Sequence, residues 1–437
     1  MTSQIQHAPY TLNYVAALHD ARLHTLSLIA DLSDEQLMGP RLRIVNPLRW
    51  EIGHVAWFQE YWVLRHRNGQ SPILANGDAL YDSANVAQDT RWDLPLPSRA
   101  QTLAYLQEVL DRITGRYQQG EEIDPRSEYF LSLALFHEDM HDEAFGYTRQ
   151  TLGYPKPTFA ETPAPNSEIA IDHHLGDAKI PGGRFLVGSL PDRPFVFDNE
   201  MDAHEVEVHP FAISRTAVAN GEFAEFVDDR GYLREEFWSD DGWRWRQSAQ
   251  ADHPVYWQRE GQQWLRREFD LLVPLDPHLP VLHVNWFEAE AFCRWAKRRL
   301  PTEAEWEMAA SIDANDAGNQ PKRRFPWGDD PATPARANLD WLARGCIDVR
   351  ALPESDSAFG CRQMIGNVWE WTAGDFNPYP GFAAGPYKEY SAPWFRDHKV
   401  LRGGCWATRS RLIHNAYRNF YQPDRRDVWA GFRTCAL

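Results

Sequence analysis

DPRSEYFLSLALFHEDMHDEAFGYTRQTLG, residues 124–153, decides the reading of the first part of the chain. Asp124 followed by Pro125 opens a helix, because proline's fixed φ suits the first helical position and its missing N–H would have no partner there. No further proline interrupts the run, and Gly153 supplies a stop. Phe130, Ala134, His137, His141 and Phe145 follow one another at spacings of 4, 3, 4 and 4, so they share one helix face. That face is apolar apart from two histidines stacked one turn apart. An inward pair of imidazoles at this spacing can grip one metal ion.

Working outward, three more helices complete a bundle. The first runs from about Leu12 to Leu32 without a proline. The second takes Asn46 as N-cap and Pro47 as its first residue, then continues as LRWEIGHVAWFQEYWVLRH. The third opens at Ser98 with Gln101 three residues on, a capping box. Between the second and third helices lies a stretch from about Arg67 to Pro97, rich in turn residues. A connection of that length in a compact bundle is expected to build a site. The second helix carries His54 on a face with Leu48, Ile52, Val55 and Phe58, which also looks inward. Facing helices of a bundle supply ligands to a central site, so His54 is a candidate third ligand. Three imidazoles suit Fe, Zn, Ni or Cu, and the spacing does not choose among them. Three protein ligands leave open positions, as a catalytic site requires. Glu143, two residues past His141, is a candidate to orient a ligand from outside.

After Pro155 the character changes. Residues 156–168 are proline-rich and read as a linker between a bundle over 1–155 and a second domain over 169–437. The second domain alternates short β-type runs with Gly, Pro, Asp and Asn turns, interrupted by two short helices, AVANGEFAEFVDDRGY and NWFEAEAFCRWAKRR. This is the pattern of an irregular α+β domain, so the whole is a multidomain α+β protein. The formal net charge is −17, which repels phosphate backbones and anionic lipid and excludes nucleic acid and membrane surfaces as expected partners. No apolar run is long enough to span a bilayer, and MTSQIQHAPYTLNY lacks the basic start and apolar stretch of a signal peptide. Five cysteines without a CxxC pair fit a reducing compartment. A cytoplasmic monomer acting on small molecules is the expectation.

The residues also carry a resemblance. The first half resembles the DinB-like bundle, a family with three metal-binding histidines. IPGGRFLVGS (180–189), PVLHVNWFEAEAFCRWAKRRLPTEAEWEMAA (280–310), FPWGDD (325–330), MIGNVWEWTAGDF (364–376), VLRGGCWAT (400–408) and AGFRTCA (430–436) resemble the formylglycine-generating-enzyme (sulfatase-modifying factor) domain, a variant of the C-type lectin fold. The two modules in this order are similar to the ergothioneine and ovothiol sulfoxide synthases. The resemblance implies a mononuclear Fe(II) on His54, His137 and His141, with O2, a chalcogen donor and hercynine or histidine as substrates. It implies an active site between the domains. It makes Tyr379, in NPYPGF, a proton donor, and aligns RNFYQPDRR (418–426) with the substrate-binding loop. There Asn419 would hold the imidazole substrate, and Phe420, Tyr421 and Trp406 are candidates to face a trimethylammonium group. Core packing is the alternative for each. Arg91, in TRWDLPLP, is a candidate contact for the second substrate, with a solvated surface arginine as the alternative.

Two departures bear on the donor. Synthases using γ-glutamyl-cysteine usually read RNWD where this chain reads Arg418, Asn419, Phe420, Tyr421, and often carry Gln where this chain has Met140. Both changes remove a polar group expected to touch substrate. The phrase LYDSANVAQDTRWDLPLP and the ending RNFYQPDRRDVWAGFRTCAL resemble the selenoneine synthases, the branch that adds selenium from a selenosugar to hercynine. A sugar needs hydroxyl partners, and Tyr421 can supply one. The expected alternatives are an ergothioneine-type synthase joining cysteine or γ-glutamyl-cysteine sulfur to hercynine, and a zinc-dependent thiol transferase. A non-catalytic binding module leaves the inward histidines unexplained. A formylglycine-generating oxidase is excluded, because its cysteine pair falls at Thr408 and Ile413, and Cys405 stands in place of the serine.

Overall fold

Four long helices build the N-terminal unit: α1 (Tyr14–Ile29), α3 (Leu48–Gln59), α5 (Arg99–Gln118) and α6 (Pro125–Leu152), with short α2 (Asp34–Met38) and α4 (Gly77–Tyr81) between them. The structure, a computed structural model, describes residues 12–66, 68–159, 176–191, 195–312 and 322–437. Asn13 caps α1 by accepting from the Ala16 N–H, and Ser98 and Gln101 form the expected capping box on α5. Leu18, Ala21 and Leu28 of α1, Ile52 and Val55 of α3, Val109 and Ile113 of α5, and Leu131 and Ala134 of α6 are fully buried and form the bundle core.

The second helix departs from the sequence reading at both ends. Pro47, not Asn46, holds the cap position, with no side-chain capping bond. Asn46 is engaged elsewhere: its Nδ2 donates to Glu51 Oε1 at 2.9 Å and its Oδ1 accepts from Arg91 at 2.8 Å. A side chain with two tertiary partners is not available to cap. At its far end α3 passes into a π-helical stretch, Glu60–His66. The long connection after it is not structureless; it holds α4 and a 3-10 turn over Gln88–Thr90.

The chain divides into two compact units, one running to Thr148 and one from Arg149 onward, short returns near 157 and 195 apart. Of the expected linker over 156–168, residues 160–168 lie outside the described residues. The C-terminal unit holds thirteen short strands among its described residues. β1 (Asp177–Ile180), β4 (Phe211–Ser214), β13 (Cys435–Ala436) and β8 (Arg298–Arg299) form one sheet in the order β1-β4-β13-β8. β11 (Asn419–Tyr421), β10 (Lys399–Arg402), β9 (Trp369–Asp375) and β12 (Ala430–Gly431) form a second in the order β11-β10-β9-β12. β2 (Gly183–Val187) pairs with β3 (His204–Val208), and β5 (Trp257–Glu260), β6 (Gln263–Glu268) and β7 (Leu271–Pro274) make a meander that the sequence reading did not separate. The two expected helices are α7 (Asn220–Asp228) and α9 (Trp286–Trp295); α8 (Asp240–Ala249) and α10 (Glu303–Ser311) are additional. Trp306, Trp369, Trp371 and Trp429 are fully buried, so much of the tryptophan content is core. No helix among the described residues is long and apolar enough to cross a membrane.

Candidate metal centre

α3 and α6 bring three histidines to one point inside the bundle. The potential ligand atoms of His54, His137 and His141 all lie within 4.8 Å of one another. The His137 and His141 rings are 4.5 Å apart, and the His54 ring is 5.0 Å from each. His54 and His137 are buried, while the His141 side chain keeps 18% exposure and is the most open of the three. Two of the three rings stack on an aromatic support. His137 stacks on Phe58 at 3.5 Å, and His54 stacks on Trp50 at 4.8 Å. His54 Nδ1 lies 2.7 Å from the Tyr81 carbonyl oxygen. An N–H donated there leaves Nε2 as the nitrogen with a free lone pair, the usual arrangement of a metal-binding histidine.

Burial holds all three imidazoles neutral. It lowers His141 to about 4, with the Arg91 charge acting in the same direction. It lowers His54 and His137 well below the ordinary imidazole range, and repulsion from the neighbouring histidines adds to the effect. Metal ligation needs the neutral form, so this donor set is ready at neutral pH. Three neutral nitrogens with no carboxylate in the cluster fit a transition metal and not calcium or magnesium.

The side of α6 next to the ligands is clamped by a buried polar network. Arg22 Nε donates to Glu138 Oε1 at 2.9 Å, Gln59 Nε2 donates to Glu138 Oε2 at 2.6 Å, and Thr25 donates to Asp142 at 2.6 Å. Glu138 and Asp142 directly follow His137 and His141, so this network fixes the rotation of the helix that aims both candidate ligands. Arg91 is not a solvated surface residue. Its guanidinium sits 3.7 Å over the Trp50 ring, and it donates to Asn46 and, at 3.1 Å, to the Val86 carbonyl. Glu51, buried beside it, was missed by the sequence reading. Its Oε1 lies 3.9 Å from His141 Nδ1. Burial raises Glu51 to about 7 against the pull of Asn46 and Arg91. The only signal that could have found it is its own helix: a carboxylate one turn before His54. Glu143 is buried, two residues and so about 200° around α6 from His141. Met140 is half-buried.

The C-terminal unit gathers a second set. Tyr379 is buried, and its hydroxyl donates to Glu303 Oε1 at 3.1 Å while Arg418 lies 4.0 Å over its ring. Burial raises its pKa well above the ordinary phenol value, and Glu303 and Glu307 add to this against the Arg418 charge. Asn419, Phe420 and Tyr421 form β11, paired to Leu401, Val400 and Lys399. Side chains alternate along a strand, so Asn419 and Tyr421 share one face and Phe420 takes the other. There Phe420 stacks on Phe376 at 4.1 Å. Trp406 is apart from this group. It is 2% exposed and packs against Trp341 and Trp429, with ring centroids 4.6 and 4.4 Å away. It lines a small pocket with Tyr256, His283 and Cys346. Thr408 and Ile413 are buried, and all five cysteines are free thiols.

Residues 17–144 match the DinB superfamily, and residues 172–436 match the sulfatase-modifying factor enzyme 1-like domain. The chain is 35% identical over 421 residues to a hercynine oxygenase of Mycolicibacterium smegmatis, covering 94% of this chain and 96% of that one. It is 36% identical over 420 residues to a hercynine oxygenase of Mycobacterium tuberculosis, with 94% and 96% covered. A formylglycine-generating enzyme of Streptomyces coelicolor is 32% identical over 313 residues, 64% of this chain and 95% of that one. Fold and site define a two-domain protein: a helical bundle carrying a three-histidine cluster, then a formylglycine-generating-enzyme-like domain. The chain belongs to the ergothioneine/ovothiol-type family that joins these two modules.

Proposed function

We propose that the protein is an O2-dependent, non-haem Fe(II) enzyme that joins a chalcogen to the imidazole of hercynine, with a selenosugar as the chalcogen donor. The observation that carries this reading is the close, neutral trio of His54, His137 and His141. Hercynine is supported by the similarity to hercynine oxygenases over nearly the whole chain. Bound iron would supply the redox chemistry that O2 requires and would favour the deprotonated selenol or thiol.

The chain's own residues do the rest. Three histidines leave coordination positions open for substrates, and holding reactants together in one complex replaces a chance encounter. Tyr379 keeps its proton on its hydroxyl oxygen, held up by burial, and acts as a donor and not as a phenolate. Asn419 and Tyr421, on one face of β11, offer an amide and a hydroxyl to substrate. Phe420, stacked on Phe376, stiffens that strand from behind. The donor reading rests on Tyr421 and Met140. Neither carries a charge to form an ion pair with the ammonium end of γ-glutamyl-cysteine, whereas a hydroxyl partner suits a sugar.

The test is a donor panel. Protein purified anaerobically with Fe(II) is given hercynine and O2 with a selenosugar, cysteine or γ-glutamyl-cysteine in turn, and products are read by mass spectrometry. The expected product is a carbon–selenium adduct of hercynine. A carbon–sulfur product from γ-glutamyl-cysteine, with none from the selenosugar, overturns the donor assignment.

A further inference from the structure

His54 has an outer partner, the Tyr81 carbonyl at 2.7 Å. His141 has none in hydrogen-bond contact: its Nδ1 is buried without a partner. The nearest acceptor is Glu51, whose Oε1 stands 3.9 Å away and whose Oε2 is also buried without a partner. Two adjacent buried groups, an imidazole nitrogen that can donate and a carboxyl oxygen that can accept, each lack what the other offers. A shift of about 1 Å brings them to hydrogen-bond distance. Glu51 is outside the cluster itself, which among the described residues comprises the three histidines.

Glu51 is also held in place from behind. Asn46 Nδ2 donates to its Oε1 at 2.9 Å. Asn46 is oriented in turn by Arg91, which donates to its Oδ1 at 2.8 Å, so the amide can face Glu51 only with its NH2. Arg91 lies 3.7 Å over Trp50, whose other neighbour is the His54 ring at 4.8 Å. One arginine thus braces the supports of two of the three ligands. A carboxylate built this carefully beside a metal-binding imidazole has a known physical use: it takes the N–H of the far ring nitrogen, fixes the tautomer and ring plane, and makes the near nitrogen a better donor.

We propose that Glu51 is a positioning residue of the metal centre, accepting the Nδ1–H of His141 so that Nε2 faces the metal, with Asn46 and Arg91 holding the carboxylate. This rests on the reading of the trio as metal ligands. It assigns Arg91 to the centre's support in place of the substrate contact expected from sequence.

The test reads metal binding and not turnover. Glu51→Gln keeps the size of the side chain and its contact with Asn46 but replaces the anionic acceptor. Its affinity for Co(II), measured by chelator competition, is expected to fall 10- to 100-fold, with a shifted visible absorption spectrum. Asn46→Ala leaves Glu51 in place but frees it, and a smaller loss is expected. Glu51→Asp, whose shorter carboxylate keeps the charge, is expected to recover part of the affinity. Wild-type affinity and an unchanged spectrum in Glu51→Gln overturn the proposal. His141→Ala separates the two levels: if it too binds Co(II) as wild type, the ligand assignment itself fails. If Glu51→Gln does not fold, Asn46→Ala decides, and an unchanged spectrum there counts against the proposal.

Discussion

Gly53 offers the sharpest test of how tightly the centre is built. It lies in α3 one residue before His54. A Cβ added there would stand 2.2 Å from Tyr81 Cζ, 2.3 Å from Cε1 and 2.5 Å from the hydroxyl oxygen. Ordinary carbon contacts begin near roughly 3.5 Å, so the ring must retreat by about 1.3 Å. Tyr81 is fully buried, so its ring is hemmed in by neighbouring side chains and not by solvent. Overpacking of this size costs about 1–3 kcal/mol, against about 1 kcal/mol gained from replacing glycine by alanine in a helix. Gly53→Ala should therefore lose up to about 2 kcal/mol. The Tyr81 carbonyl is the partner of His54 Nδ1, so the same ring shift should also weaken metal binding, by about tenfold. Gly115→Ala is the matched control. It is also helical, but its Cβ would meet only Gln119 Nε2, at 4.0 Å, and it should gain up to about 1 kcal/mol with metal binding unchanged. Urea unfolding of metal-free protein and chelator competition read the two effects. If Gly53→Ala is as stable as Gly115→Ala and binds metal normally, the tight coupling of Tyr81 to His54 is wrong.

Two other perturbations have defined signs. Arg22 and Glu138 form a buried ion pair with side chains 2% and 0% exposed. Arg22→Ala strands the carboxylate and should cost about 3–5 kcal/mol in urea unfolding, while Arg22→Met with Glu138→Leu should recover most of it; a loss under about 1 kcal/mol contradicts the clamp. For the metal-free protein, His141 titrates near 4 when folded and at the ordinary imidazole value when unfolded. The unfolded chain takes up that proton first, so stability is lost as pH falls from about 6.5 toward 4, by about 3 kcal/mol from this group. Glu51, raised to about 7, runs the opposite way, gaining stability as pH falls through 7 toward the ordinary carboxylate value. The difference between wild type and His141→Gln isolates the histidine; a difference that stays flat from pH 7 to 4.5 contradicts its burial in neutral form.

What could be read from sequence was local. His137 and His141 stand four apart on one helix, and that spacing alone puts them on a common face. His54 sits on an inward face that apolar neighbours define. The capping box at Ser98 and the Asp124–Pro125 start are likewise written in adjacent residues. The misses share a physical cause: a tertiary partner overrode a local preference. Asn46 before Pro47 has the look of an N-cap, but Glu51 and Arg91 take its side chain. Tyr81 supports His54 through its backbone carbonyl, which no side-chain pattern can announce. Arg91 reads as either a substrate contact or a solvated surface arginine, and its burial on Trp50 removes the second of these. In β11 the alternation that separates Phe420 from Asn419 and Tyr421 follows from strand geometry once the strand is known, but three residues are too few to reveal a strand. The motif segments of the second domain identified the family, while the β5–β7 meander, which carries none of those motifs, went unread.

The most direct measurement of the central claim is metal content against the trio. Anaerobic titration with Fe(II), followed by the electron paramagnetic resonance of its nitric oxide adduct, should give one high-spin iron–nitrosyl centre per wild-type chain. His54→Ala, His137→Ala and His141→Ala should each abolish or greatly weaken it and stop O2 uptake with hercynine. Full iron loading in His137→Ala, or full activity of protein that holds only zinc, would contradict the account.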